Sequence, residues 1–158
     1  MKILVLSDTH GNTKFLNKIK ERFNNIHMVI HLGDNTKDVE MTRKVFPVDI
    51  YNVKGNCDFR DSETPEEQLI NIKGKRVFLT HGHNYSVKSH LNTLYYRAKE
   101  LDAEIALFGH SHVPESINYD GVQLFNPGSP VLPRGGSKKS FGIIDINDEV
   151  TFNIYNLK

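Results

Sequence analysis

Five short apolar runs in this chain each break off into a polar cluster of Asp, Asn or His beside glycine, and that repetition restricts the fold more than any other feature. Lys2 to Ser7 leads into Asp8-Thr9-His10-Gly11, and Met28 to Leu32 leads into Gly33-Asp34. Asp49 to Val53 runs into Gly55-Asn56-Cys57-Asp58, Lys75 to Thr80 into His81-Gly82-His83, and Glu104 to Phe108 into Gly109-His110-Ser111-His112. Runs rich in β-branched and aliphatic residues that stop at Gly, Asp or Asn read as buried strands ending in loops. Parallel strands deliver such loops to one edge of a sheet. The pattern therefore predicts that side chains far apart in the sequence converge, and the neighbouring glycines permit the close backbone approach this requires.

Between these runs the periodicity changes. Phe15, Leu16, Ile19 and Phe23 recur at helical spacing over residues 13 to 23, with Asn12 or Thr13 placed to cap. Val39, Thr42, Arg43 and Phe46 predict a second amphipathic helix over residues 38 to 46, stopped by Pro47. Leu69 to Ile72 and Lys75 to Thr80, joined by Lys73-Gly74, read as a hairpin. Leu91, Leu94, Tyr95, Ala98 and Leu101 predict a long helix of more than three turns whose apolar face is core. Strands then follow near 115 to 119, 122 to 125 and 141 to 155, the last folded about Asn147-Asp148. So many strands exceed what one twisted sheet holds, which predicts an α/β fold of two packed sheets with helices outside. No linker or repeat interrupts residues 1 to 158, so one domain is expected.

Charge and cysteine usage narrow the functional classes. With 20 Lys and Arg against 19 Asp and Glu, the net charge of +1 provides no field to gather nucleic acid or a membrane surface. No basic stripe or aromatic stacking platform is evident either, which argues against a nuclease. The single cysteine, Cys57, forms no intrachain disulfide, and the opening apolar run is too short for a signal peptide or membrane span. A cytoplasmic protein is expected. Nothing fixes the oligomeric state, and a homo-oligomer is compatible with the sequence.

Asp8, His10, Asp34, Asn56, His81, His110 and His112 together offer carboxylate, amide and imidazole ligands without a thiolate. That set suits borderline divalent ions, Mn2+ foremost and then Ni2+, Fe2+, Co2+ or Zn2+, better than magnesium or calcium. It is too large for one ion. If Asp34 bridges, two ions about 3.5 to 4 Å apart are each filled. Their charge exceeds what Asp8 and Asp34 return, and the surplus favours an anionic phosphoester. Taken singly, each residue would be an ordinary turn former or cap, as Asn12 is expected to be. It is their joint order that argues against coincidence.

The motifs Asp8-Thr9-His10, Gly33-Asp34-Asn35, Gly55-Asn56-Cys57-Asp58, His81-Gly82-His83 and Gly109-His110-Ser111-His112, in this order and spacing, resemble the calcineurin-like metallophosphoesterase superfamily. Asn126-Pro127-Gly128-Ser129, followed by Pro133-Arg134, resembles its small single-domain phosphodiesterase branch. The resemblance spans nearly the whole chain and implies a four-layer αββα sandwich of two mixed β-sheets flanked by helices. It assigns Asp8, His10 and His112 to one metal, Asn56, His81 and His110 to the other, and Asp34 to both. It implies a phosphodiesterase for a small phosphodiester, in which a metal-bound hydroxide attacks phosphorus in line. It also carries an alternative, because the retromer scaffold subunit resembles the same fold and serves protein contacts without turnover. The complete ligand set favours the enzyme.

One departure changes the expected chemistry. Most members of the superfamily have His where Cys57 stands, and that His protonates the leaving group or steadies the phosphate. Without it, general-acid help of about 10² to 10⁴ is missing. Diesters, or esters of acidic alcohols, are then the expected substrates, with weak action on alkyl monoesters. Catalytic roles are expected at Asn56, Cys57 and Asp58, although Asp58 lacks its usual His partner. Asn35 and His83 are expected to touch substrate. His31 should be partly buried and hydrogen-bonded, His27 and His90 exposed or capping, and Arg134 an anchor of the proline-rich loop.

Overall fold

The computed structural model describes all 158 residues, and the alternation within its first strand already sets out the layers. In β1 (Lys2–Leu6), Ile3 and Val5 face one apolar cluster while Leu4 and Leu6 face another, as the two-residue period of a strand requires. The first cluster is the seam between two sheets. It joins Ile3 and Val5 to Met28 and Ile30 of β2 (Met28–His31), Val77 and Leu79 of β5 (Lys75–Thr80), and Ile105 and Leu107 of β6 (Ile105–Leu107). The second packs Leu4, Leu6 and Val29 under Phe15, Leu16 and Ile19 of α1 (Phe15–Arg22), and under Phe46, which follows α2 (Asp38–Val45). On the far side, Phe78, Ala106 and Leu124 are covered by Leu94, Tyr95 and Ala98 of α3 (Asn92–Glu100). The layers therefore run α, β, β, α.

Each sheet has five strands. Adding β3 (Asp49–Asn52), β9 (Ser140–Ile146) and β10 (Val150–Asn156), the first has the order β10-β9-β1-β2-β3, with β1, β2 and β3 parallel. With β4 (Glu67–Ile72), β7 (Glu115–Tyr119) and β8 (Val122–Asn126), the second runs β4-β5-β6-β8-β7, with β5, β6 and β8 parallel. The expected hairpin is present: Lys73 (φ 50°) and Gly74 (φ 85°) make the two-residue left-handed turn that matches strand twist. No helix is long and apolar enough to cross a membrane.

Three expectations need correction. The polar strand ends do not share one sheet, because β1, β2 and β3 lie in the first and β5 and β6 in the second. They meet because the two sheets stack with these edges together. The helix after residue 82 is Asn92–Glu100, nine residues and so about two and a half turns. Residues His83–Tyr85 take a 3-10 turn first, and Leu91 and Leu101 bracket the helix instead of lying within it. Helix α1 starts later than predicted, with Lys14 at its cap position and no side-chain cap; Asn12 Oδ1 accepts the Lys14 N–H at 3.2 Å in a local turn.

Candidate metal centre

The ligand loops are held where few side chains go willingly. Asp8 (φ 56°), His10 (45°), Asp34 (58°), Asn35 (85°), His110 (65°) and His112 (58°) all occupy the left-handed region. For a non-glycine residue each such conformation costs on the order of 1–3 kcal/mol and survives only where the surroundings enforce it. Crowding is equally marked in the backbone. A Cβ on Gly55 would stand 2.1 Å from Asp34 Oδ1, and one on Gly109 would stand 1.9 Å from Ser7 Oγ, so only glycine fits at either place.

Asp8, His10, Asp34 and His112 bring one ligand atom each to within 4.8 Å of one another, a group that can hold a metal ion. His81 joins them from the second sheet, its Nε2 lying 3.4 Å from Asp34 Oδ1 and 3.8 Å from Asp8 Oδ1. His112 Nε2 is 3.1 Å from Asp8 Oδ1, and His10 Nε2 is 3.7 Å from Asp34 Oδ2. The His110 ring stands 5.1 Å from that of His81, and His83 lies 5.5 Å and 6.1 Å from His81 and His110. Asn56 is exposed at the rim, with its amide donating to Cys57 Sγ at 3.7 Å.

Two imidazoles are oriented from behind. His81 Nδ1 donates to the Leu32 carbonyl at 2.7 Å and His112 Nδ1 to the Leu132 carbonyl at 2.6 Å, so each turns Nε2 toward the carboxylates. Asp8 Oδ2 accepts from Ser7 Oγ at 2.6 Å and from the His110 N–H at 3.1 Å, and Asp34 Oδ1 accepts the Cys57 N–H at 3.0 Å. Asp8 Oδ1, His10 Nε2, His81 Nε2 and His83 Nδ1 are buried without a well-formed hydrogen bond, the first three meeting only other members of the cluster at 3.1 to 3.8 Å. Groups in that state are uncommon and unfavourable. Their donor chemistry, carboxylate oxygen and imidazole nitrogen, fits a divalent cation.

Electrostatics follow the same geometry. Burial resists charge on Asp8, yet the approach of His112, the charge of His81 and the Ser7 hydroxyl hold it below the ordinary carboxylate value. Asp34 is likewise lowered, burial being outweighed by His81 and the Cys57 amide. His112 is raised by its contact with Asp8, and His81 is raised because Asp34 and Asp8 outweigh its burial. Burial, with the charge of His81, lowers His110 to about 4, leaving a neutral imidazole able to ligate. Desolvation and the charge of Asp34 push the Cys57 thiol up to about 11.

Asp58, expected to be catalytic, is engaged by the main chain. Its two oxygens accept the N–H groups of Asp34 (2.9 Å), Asn35 (2.8 Å), Thr36 (2.9 Å) and Gly55 (2.8 Å), which ties the Asp34 loop to the loop after β3. That is an anchor. Asn35 is also engaged, its amide donating to Asp38 Oδ1 at 3.2 Å. Sequence reasoning passed over Asp38, which reads as an ordinary first-turn acid. Its Oδ2 takes Thr9 Oγ1 at 2.6 Å and the Gly11 N–H at 2.9 Å. His31 is fully buried, beyond the partial burial expected: Nδ1 accepts the Gly33 N–H at 3.3 Å and Nε2 meets Thr9 Oγ1 at 3.0 Å. Ser129 Oγ donates to the Asp8 carbonyl at 2.8 Å, and Asn126 Nδ2 to the Gly109 carbonyl at 3.0 Å. The Asn-Pro-Gly-Ser run thus buckles the His110 loop to β1. A cavity of about 490 Å³ between α1 and the last strand contains none of these groups.

Carboxylates and imidazoles crowd at the common edge of two stacked sheets, in a group that can hold a metal ion. The chain belongs to the calcineurin-like phosphoesterase superfamily, whose domain profile matches residues 1–149. It is 36% identical over 158 aligned residues to the probable metallophosphoesterase YsnB of Bacillus subtilis, covering 99% of this chain and 91% of that protein. Phosphodiesterase YfcE of Escherichia coli K12 is 27% identical over 169 aligned residues, covering 92% and 88%. Vps29 of Chaetomium thermophilum superimposes with a TM-score of 0.85 over 100% of this chain and 88% of that one. At 23% identity, that likeness concerns the fold alone.

Proposed function

We propose that residues 1–158 form one dinuclear metal-dependent phosphodiesterase domain, with Asp8, His10 and His112 holding one ion, His81, His110 and Asn56 the other, and Asp34 shared. The observation that carries this reading is that Asp8 Oδ1, His10 Nε2 and His81 Nε2 lie buried without a well-formed hydrogen bond and converge on one space. Divalent ions, Mn2+ foremost, supply there an activated water and neutralisation of the phosphoryl oxygens. The protein's own work is orientation: the Leu32 and Leu132 carbonyls select the ligating tautomers, and Asp58 and Ser129 hold the loops. His83 Nδ1 is left free for a phosphoryl oxygen. A Cys57 thiol raised to about 11 stays neutral and is a poor nucleophile.

The test is a leaving-group series. With saturating Mn2+, the protein is expected to hydrolyse bis(4-nitrophenyl) phosphate. Cys57→His is expected to raise rates on alkyl esters by about 10²-fold or more, by restoring a general acid. Unchanged alkyl-ester rates would remove the proposed meaning of Cys57. The alternative, a non-catalytic protein-binding scaffold of this fold, predicts no turnover with any metal alongside a stable protein complex. Buried ligand atoms in register with one another favour the enzyme.

Metal loading should also release protons. His81 and His112 are raised above the usual value of about 6.5. As proton carriers they stabilise the metal-free fold below that pH, and the contribution is lost as pH rises through their raised values. A ligating imidazole must be neutral, so apparent Mn2+ affinity should strengthen over the same rise. Calorimetric titration in two buffers of different ionisation heat measures the release, and identical heats would contradict it.

A further inference from the structure

We infer that Phe59, flanked by Arg60 and Lys37, forms a subsite for the heteroaromatic ring of a nucleoside phosphoester. The inference rests on the phosphodiesterase reading and adds a substrate class to it. A cavity of about 320 Å³, in the range of small-ligand sites, is lined by Asn35, Lys37, Cys57, Phe59 and Arg60 together with Asp58 and Asp61. It borders the ligand cluster directly, since Asn35 follows Asp34 and the Cys57 N–H bonds to Asp34 Oδ1. Phe59 is two residues beyond Cys57, at most about 7 Å of chain.

The ring is 79% exposed, the most exposed large apolar side chain in the protein. A single exposed apolar residue is ordinary on a surface, but this one stands on a braced loop. The Asp58 N–H bonds to Gly55 O at 3.1 Å and the Asp61 N–H to Asp58 O at 2.9 Å, while the Asp58 carboxylate clamps residues 34 to 36. The phenyl is thus presented on a rigid support.

Charge decides what it can receive. Both acids in the lining are already occupied: Asp58 by four N–H groups, and Asp61 by Thr36 Oγ1 at 2.6 Å and the Glu63 and Thr64 N–H groups at 3.0 and 2.9 Å. Lys37 and Arg60 enter no ion pair, the Arg60 guanidinium lying 5.6 Å from the Phe59 centroid. A largely exposed aromatic ring with the Arg60 guanidinium over it, and Lys37 free of ion pairs beside it, suits a planar, electron-rich ring joined to phosphate. An aliphatic ester would use neither.

The test compares thymidine 5′-(4-nitrophenyl phosphate) with methyl 4-nitrophenyl phosphate, which share a leaving group. With Mn2+, the thymidine ester is expected to have the higher kcat/KM by about tenfold. Phe59→Ala should erase that ratio, and Phe59→Trp should keep it. A wild-type ratio near one, or a ratio unchanged in Phe59→Ala, overturns the inference. If the wild type turns over neither ester, the phosphodiesterase reading fails and the subsite is judged by thymidine 5′-monophosphate binding, followed by amide shifts at residues 57 to 61. Shifts that weaken about tenfold in affinity in Phe59→Ala support it, and their absence in the wild type overturns it.

Discussion

Asp34→Ala is expected to lower the kcat/KM for bis(4-nitrophenyl) phosphate by about 10³-fold or more and to abolish the Mn2+-induced rise in melting temperature. Asp34 stands between a group from each sheet, 3.4 Å from His81 Nε2 and 3.7 Å from His10 Nε2. Its loss subtracts a ligand from each proposed ion position and a negative charge from the space between them. Metal assistance is worth several kcal/mol, and each 1.4 kcal/mol is about tenfold in rate. The metal-free fold should tolerate the change better, because the main supports of these loops are hydrogen bonds made elsewhere. Thermal melts with and without Mn2+ therefore separate ligand loss from misfolding. A variant that kept the full metal-induced shift would refute the bridging role.

Asp58→Ala should fail in the opposite way. Four main-chain N–H groups converge on its carboxylate, and truncation strands them in a site where little water reaches. Leaving buried donors unsatisfied costs about 1–3 kcal/mol each, tempered here by local relaxation to about 3–5 kcal/mol in total. For a chain of this length that corresponds to a fall of roughly 10 °C in melting temperature, measured without metal. Asp58→Asn should recover part of it, since one oxygen can still accept. Should Asp58→Ala instead melt normally and bind Mn2+ normally while losing turnover, a direct catalytic part for this carboxylate would be restored.

Much of this arrangement could be read from residue pattern because period and chemistry agreed. In β1 the alternation that makes Ile3 and Val5 face the sheet seam runs to Leu6, and the polar loop beginning at Ser7-Asp8 follows directly. Lys73-Gly74 announced its hairpin through turn chemistry that few other dipeptides satisfy. What escaped prediction depended on tertiary packing. The apolar stripe from Leu91 to Leu101 spans eleven positions, but only Asn92–Glu100 is helical, after a separate turn at His83–Tyr85 beside the imidazole cluster. Nothing local distinguishes Asp38 from a helix-favouring acid, or Asp58 from a catalytic one, until the N–H groups they serve come from loops distant in the chain. The aromatic platform was missed for the same reason. Phe59 has the composition of a core residue, and only the braced turn around it turns the ring outward.

The dependence of the ligand cluster on both sheets bears on how the protein matures. Asp8 is oriented by the backbone of His110, and His112 by the carbonyl of Leu132. During synthesis the early ligands emerge long before their partners, and no competent cation cage can exist until the ribosome has delivered the later strands and they have docked. On the proposed metal-dependent reading, premature loading of a half-made chain is thereby discouraged, and acquisition of the ions becomes a seal set on a finished molecule.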